Sequence, residues 1–263
     1  MKKYLSVFVI RFRSELQYVG AAVGGFLTQC FFGLLLIALY RALYEGKAEA
    51  VPISTTVTYV WLQQAFFRML FSTNDELSQK IITGSVAYDL CRPLDPYTFY
   101  FFENLASRLS GSLLRAVPML IFALVLPDGW NLSLPAGLPA LLSFFLCLTL
   151  GLICTCAMGN LLSALVMVTL DTKGLSSILQ MLIVTFSGNL MPLTLYPENW
   201  QSVVKLLPIS QFLDTPIRLY TGVTPIRQLL SAAAVQTVWI FVLLLSGKYL
   251  WKRYQKKIVL QGG

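Results

Sequence analysis

The chain has 263 residues, of which 56% are hydrophobic and only 12% are charged, and its formal net charge is +8. Soluble domains carry about 25% charged residues, so this composition excludes an ordinary soluble domain and indicates several membrane spans. Most of the positive charge lies near the two ends and in short loops, where basic residues set membrane orientation. We therefore expect a lipid bilayer, and no nucleic acid, as a partner.

The residue types that carry most enzyme chemistry are scarce. The sequence has no histidine, which removes the commonest general base and metal ligand. Four of the five cysteines lie in apolar stretches, and Cys154 and Cys156 lack the two-residue spacer of common zinc and redox sites. Neither a G-x-x-x-x-G-K-[ST] loop nor a G-x-S-x-G elbow occurs. We predict no catalytic residue, no metal site and no cofactor bound by the chain itself.

The first part of the chain predicts an interface helix and two spans. Residues 3–18 combine apolar side chains at helical spacing with basic ones, which predicts an amphipathic helix on the inner leaflet. Spans are predicted over 19–43 and 53–71, because roughly 20 apolar residues cross a bilayer. The second span contains three polar residues, Gln63, Gln64 and Arg68.

These three residues are candidates to line a translocation path. Gln64 and Arg68 are four positions apart and would share a face of a continuous helix. Polar groups in a span usually turn toward a protein interior or a wet cavity. Two other interpretations remain open: Arg68 could snorkel to lipid headgroups, and the glutamines could form a polar contact between helices.

The longest polar interruption in the first two-thirds of the chain covers residues 72–97. Gly84 predicts an end or bend after a first short helix, and Arg92-Pro93 predicts the end of a second. The loop contains too many apolar residues to be a free loop, so we expect it to dock on another surface. These apolar residues are Ile81, Ile82, Val86, Tyr88 and Leu90.

The rest of the chain predicts four more spans, over residues 104–126, 138–170, 175–190 and 229–250. In the third, Arg108 is expected near the interface and Arg115 about two turns deeper. Short apolar pieces separated by Pro and Gly over 191–227 predict two re-entrant or interfacial helices. Six spans place both termini on one side, and their basic residues predict that this side is the cytoplasm. The span count then places the 72–97 loop inside.

Two separate segments resemble a known family. Residues 82–94, ITGSVAYDLCRPL, are similar to the loop after the second span in permeases of bacterial ABC exporters of the six-span drug, polysaccharide and antibiotic class. Residues 191–197, MPLTLYP, together with Trp200 and Leu207-Pro208, also resemble that class, with the viologen or multidrug exporter branch nearest. The resemblance implies an all-α integral membrane permease in the bacterial inner membrane.

The resemblance also implies partners and site residues. A separate cytoplasmic ABC ATPase would bind ATP and magnesium, and the 72–97 loop would carry its coupling helix. A second permease copy or a sister permease would complete a dimer. The residues expected to make the coupling contact are Ile82, Gly84, Tyr88, Asp89, Leu90, Arg92 and Pro93.

The leading hypothesis is therefore the transmembrane subunit of an ATP-driven exporter. One alternative is a secondary transporter driven by an ion gradient, which would need acidic residues at mid-depth in the membrane. The other is a membrane scaffold or immunity-type protein that transports nothing. The sequence does not identify a substrate.

Overall fold

A computed structural model describes residues 2–45, 51–70, 75–189 and 191–255. These ranges are helical and contain no β-strand. The α-helices, numbered in chain order, are α1 Lys2–Glu15, α2 Val19–Tyr44, α3 Ile53–Ala65, α4 Asp75–Ile82, α5 Val86–Leu90, α6 Pro96–Val125, α7 Leu138–Thr169, α8 Lys173–Phe186, α9 Glu198–Val204, α10 Asp214–Tyr220 and α11 Leu229–Tyr254.

Four helices in the described ranges are long and apolar enough to cross a membrane: Val19–Tyr44, Pro96–Val125, Leu138–Thr169 and Ile226–Tyr254. They correspond to the first, third, fourth and sixth predicted spans. The long apolar run from residue 138 forms one uninterrupted helix of 32 residues, α7. Helix α6 begins well before the predicted third span, so the preceding loop ends at Asp95.

The second and fifth predicted spans are shorter than expected. Helix α3 has 13 residues and ends at Ala65, where Phe66 leaves helical geometry (φ −102°, ψ 11°) and a 3₁₀ turn, Phe67–Met69, follows. The expectation of one continuous helix over 53–71 is therefore wrong. Helix α8 has 14 residues. At 1.5 Å per residue each helix is about 20 Å long, against roughly 30 Å for a bilayer core.

Helix α3 runs opposite to its neighbours α2 and α6. The end of α2 meets the start of α3, since the hydroxyl groups of Tyr44 and Thr56 lie 3.3 Å apart. Just after α3, Arg108 of α6 donates to the carbonyl oxygen of Met69 at 3.5 Å. Helices α2 and α6 therefore run the same way, and α3 runs opposite to both.

Helices α7 and α11 form the most extensive helix pair and run parallel. The side chain of Gln236 donates to the carbonyl oxygen of Cys147 at 3.0 Å. Near the other end of the pair, a Cβ atom on Gly247 would lie 3.3 Å from the Cα atom of Leu161. Glycine at this position lets the two helices approach closely.

One end of the bundle carries α1, α4, α5 and the last turns of α11, and we call it the terminal end. There the backbone N–H of Asp95 donates to the Tyr4 hydroxyl at 3.0 Å, and the Lys248 ammonium lies 3.9 Å from the Asp95 carboxylate. Helix α1 runs along the first half of α6, where the rings of Tyr4 and Phe102 stack with centroids 5.9 Å apart. The polar loop and both terminal helices thus share one end.

The region between α8 and α11 contains two short helices, and their re-entrant or interfacial position stays a prediction. They are α9 and α10, and α10 packs against α7. The approach is close, because a Cβ atom on Gly151 would lie 2.4 Å from the carbonyl oxygen of Phe212. A larger residue at 151 would force the segment that leads into α10 away from the bundle.

Candidate functional site

Residues 75–95, which we call the 75–95 segment, form a compact unit of two short helices at the terminal end. Gly84 separates α4 from α5 in a left-handed conformation (φ 73°), which glycine adopts without the steric penalty of other residues. Regular structure stops after α5, before Pro93, as the sequence predicts. Residues 72–74 of the predicted loop lie outside the described residues.

The inner face of this segment is anchored in the bundle. Leu77, Ile81 and Val86 are 1%, 4% and 0% exposed, and they pack in one apolar cluster with residues of α6, α7 and α11. Trp251 of α11 belongs to the same cluster. The segment is therefore attached to three of the long helices at once.

Asp89 joins the segment to α6 by polar contacts. Its carboxylate accepts a short hydrogen bond from the Tyr100 hydroxyl. Two cations of the same segment also approach it, with Lys80 at 3.7 Å and Arg92 at 3.4 Å. Because Asp89 is only 8% exposed, its side chain supports the segment from within rather than facing outward.

Four side chains of α5 and the turn after it are exposed, Tyr88, Leu90, Arg92 and Pro93, and we call this surface the Tyr88 face. Tyr88 is 75% exposed, although Val86, two residues earlier on α5, is fully buried. Leu90 is 38% exposed, and Arg92 and Pro93 are exposed as well. Of the other residues predicted for coupling, Gly84 is buried and Ile82 is half-buried behind this face. Exposed apolar side chains such as Tyr88 and Leu90, on a segment anchored in the bundle, are typical of a protein interaction site.

The polar residues of α3 lie elsewhere, in the bundle interior. Gln63 and Gln64 are 1% and 5% exposed, and the Gln63 amide donates a short hydrogen bond to the side chain of Asn189. Arg68 follows the break in α3, so it does not share a helical face with Gln64 as the sequence suggested. It lines a separate cavity together with Arg115 of α6.

A buried ion pair lies close to these glutamines. The Asp214 carboxylate is fully buried, forms an ion pair with the Arg218 Nε at 2.7 Å, and accepts a hydrogen bond from the Tyr59 hydroxyl at 2.7 Å. The group connects α10 to α3. In the sequence, this group is signalled by an acid and a base four residues apart in the short apolar segment before Gly222. Their partner on α3, Tyr59, can be identified only from the fold.

The chain matches the model of a protein family described as "ABC-2 family transporter protein" over residues 30–262. A comparison with curated proteins found no match. Proteins of this family are transmembrane components of ABC transporters and normally work with a cytoplasmic ATPase. The apolar helices and the extent of this match identify a multi-pass membrane permease, and the chain belongs to the ABC-2 transporter family.

Proposed function

We propose that this protein is the transmembrane permease subunit of an ATP-driven exporter and couples to a separate cytoplasmic ATPase through the Tyr88 face. The ATPase binds ATP and magnesium, and the helical bundle forms the translocation path. Family membership supports the permease role. The contrast between Tyr88, which is 75% exposed, and the fully buried Val86 carries the coupling proposal.

The contacts of the 75–95 segment suggest how force would pass from the ATPase to the spans. Movement of a partner against Tyr88 would displace α5. Val86 would transmit this displacement to the apolar cluster that contains Trp251 of α11, and Asp89 would transmit it to Tyr100 of α6. A chain of packed and hydrogen-bonded side chains of this kind can couple two sites.

The proposal includes six crossings, cytoplasmic termini and the bacterial inner membrane. Ten of the 13 residues of α3 are buried, so protein rather than lipid surrounds this short helix. Irregular backbone can exist at membrane depth when protein covers it, so α3 and the turn after it can serve as one crossing. The arrangement of α1, the 75–95 segment and α11 at the terminal end fits an even number of crossings.

We also propose that two permeases, either identical copies or this chain and a sister, form the complete path. Helix α8 supports this arrangement because only Leu179 and Ile183 are buried along it, whereas Ile178 and Met181 are 63% and 74% exposed. The buried Gln63 and Gln64 remain candidates to line the path. Drug-like compounds are the class of exported substrate that the resemblance implies.

Retention of the ATPase on the permease tests the proposal. The permease is co-expressed with its ATPase, and Tyr88→Ala is compared with Tyr88→Phe, which keeps the ring. A buried aromatic contact at an interface contributes about 2 kcal/mol or more, which is roughly 30-fold in affinity. We expect Tyr88→Ala to reach the membrane at wild-type level and to bind the ATPase at least tenfold more weakly, while Tyr88→Phe binds nearly normally.

Equal retention of the ATPase by wild type and Tyr88→Ala would remove the Tyr88 face from the coupling contact. The same cells separate the alternatives. Deleting the ATPase abolishes transport by an ABC permease but leaves a secondary transporter active. A scaffold or immunity-type protein would keep its phenotype without the ATPase.

A further inference from the structure

A cavity of about 350 Å³ opens between α1, the start of α2 and the middle of α6. Its charged lining consists of Arg11, Arg68 and Arg115 with one acid, Glu15. The cavity is therefore strongly cationic. It lies apart from the Tyr88 face and from the buried ion pair of α10.

The charge of Arg11 is compensated by its neighbours. Its guanidinium group lies 3.1 Å from Glu15, 3.4 Å from Glu76 and 3.8 Å from Glu103. Glu15 is held in turn by the Ser107 hydroxyl, which donates to it at 3.0 Å. Arg11 and Glu15 thus form a structural network that holds α1 against α6.

Arg68 and Arg115 have no such compensation. Neither forms an ion pair with any acidic side chain that the structure describes. Within the described ranges, Arg115 forms a 3.5 Å hydrogen bond from its Nη2 to the carbonyl oxygen of Ala21. The two positive charges face the same cavity and repel each other.

Arg108 shows what a structural arginine in this protein looks like. It is 2% exposed, and its Nε donates to the Asn104 side chain at 2.7 Å. The sequence predicted Arg108 near the interface and Arg115 about two turns deeper, and these depths stay a prediction. What the structure adds is burial: Arg108 is enclosed by protein, whereas Arg115 faces the cavity beside the first turns of α2.

Two glycines lie against these arginines. A Cβ atom on Gly25 would lie 2.5 Å from the guanidinium carbon of Arg115, so the guanidinium group packs directly on the α2 backbone. At Gly111 a Cβ atom would meet the Arg68 side chain at 3.6 Å, an ordinary van der Waals contact. Gly25 lies six residues, about 9 Å, past the predicted inner boundary of the first span, whereas Glu15 and Tyr18 of the same cavity precede that boundary.

We propose that this cavity binds a phosphate group through Arg68 and Arg115. Each guanidinium group presents a planar fork of N–H donors that matches phosphate oxygens, and a phosphate would compensate both charges at once. The phosphate belongs either to an anionic lipid of the inner leaflet or to a soluble phosphorylated molecule. This site requires no ATPase and is independent of the coupling proposal.

Binding to the purified full chain in dodecyl maltoside tests this site without the ATPase. The probes are dioleoyl phosphatidylglycerol, a dioleoyl glycolipid without phosphate, and inorganic phosphate. Bound lipid is counted by native mass spectrometry, and stabilisation is read as the shift in melting temperature. The variants are Arg68→Gln and Arg115→Gln, with Arg13→Gln as the control because Arg13 is an exposed arginine of α1 that does not line the cavity.

We expect phosphatidylglycerol, but not the glycolipid, to bind and stabilise the wild type and Arg13→Gln, with at least fivefold weaker binding to both cavity variants. Stabilisation by inorganic phosphate that is lost in the same variants would support the site and assign it to a soluble ligand. Without added anion, both cavity variants should melt no lower than the wild type, since each removes a repulsion. The proposal would be overturned if the cavity variants melted below the wild type without an anion and still bound lipid as the wild type does. It would also be overturned if neither phosphatidylglycerol nor inorganic phosphate bound to the wild type.

Discussion

Replacing Asp214 by asparagine removes the buried negative charge that compensates Arg218, whose side chain is 11% exposed. The carboxylate is fully buried, 2.7 Å from the Arg218 Nε, and also accepts the Tyr59 hydroxyl at 2.7 Å. Breaking a buried ion pair by removing one partner costs about 3–5 kcal/mol. Each kcal/mol lowers the melting temperature of a chain of this size by about 2–4 °C, so we expect a decrease of about 6–20 °C.

The matched control is another acid–base pair four residues apart on a short helix. Glu76 lies 3.4 Å from Lys80 and 3.4 Å from Arg11, but the Glu76, Lys80 and Arg11 side chains are 50%, 32% and 34% exposed. Exposed pairs contribute about 0.5 kcal/mol each, so loss of both pairs in Glu76→Gln should change the melting temperature by less than about 4 °C. The combined variant Asp214→Asn, Arg218→Met should regain most of the stability that Asp214→Asn loses, because no unpaired charge remains buried.

Thermal unfolding of the detergent-purified variants, followed by a thiol-reactive dye or by tryptophan fluorescence, measures these shifts. If Asp214→Asn melts within two or three degrees of Glu76→Gln, the ion pair does not hold α10 to α3 and the reasoning is wrong. Failure of the combined variant to recover would show that the geometry of the pair, rather than its charge balance, is what the fold requires.

Two glycine substitutions give further tests. Gly151→Ala should lower the melting temperature because its Cβ atom would lie 2.4 Å from the carbonyl oxygen of Phe212. The control Gly20→Ala should be neutral or stabilising, because no atom lies within 4 Å of a Cβ atom there. Equal effects of the two variants in a thermal unfolding assay would contradict the close approach of the Phe212 backbone to α7. Gly84→Pro should leave the permease in the membrane but abolish ATPase retention, because proline cannot adopt the φ of 73° between α4 and α5. Normal retention by this variant would show that the turn does not position Tyr88.

Features that depend on local sequence could be predicted. The two helices of the 75–95 segment follow from the turn residues Gly84 and Pro93, and α7 follows from a continuous apolar run. The exposure of Tyr88 could be expected only as part of an apolar loop that docks somewhere. Which of its side chains anchor the loop and which face outward depends on the cluster formed with α6, α7 and α11.

Features that depend on distant contacts could not be predicted. The break in α3 after Ala65 leaves Gln63 bonded to Asn189, a residue far away in the chain. The different burial of Arg108 and Arg115 depends on which segments pack against each face of α6, and hydropathy along one helix does not contain that information. The Tyr59 contact to Asp214 likewise joins segments that only the tertiary fold brings together.

Site-specific photo-crosslinking tests the coupling contact most directly. A photoreactive amino acid is placed at position 88 or, as the control, at Trp130, which lies at the opposite end of the bundle beside Arg41, whose guanidinium carbon is 5.1 Å from its ring centre. Both variants are co-expressed with the ATPase and irradiated in intact membranes. The proposal predicts a permease–ATPase adduct from position 88 and none from position 130. No adduct from position 88, or equal adducts from both positions, would contradict it.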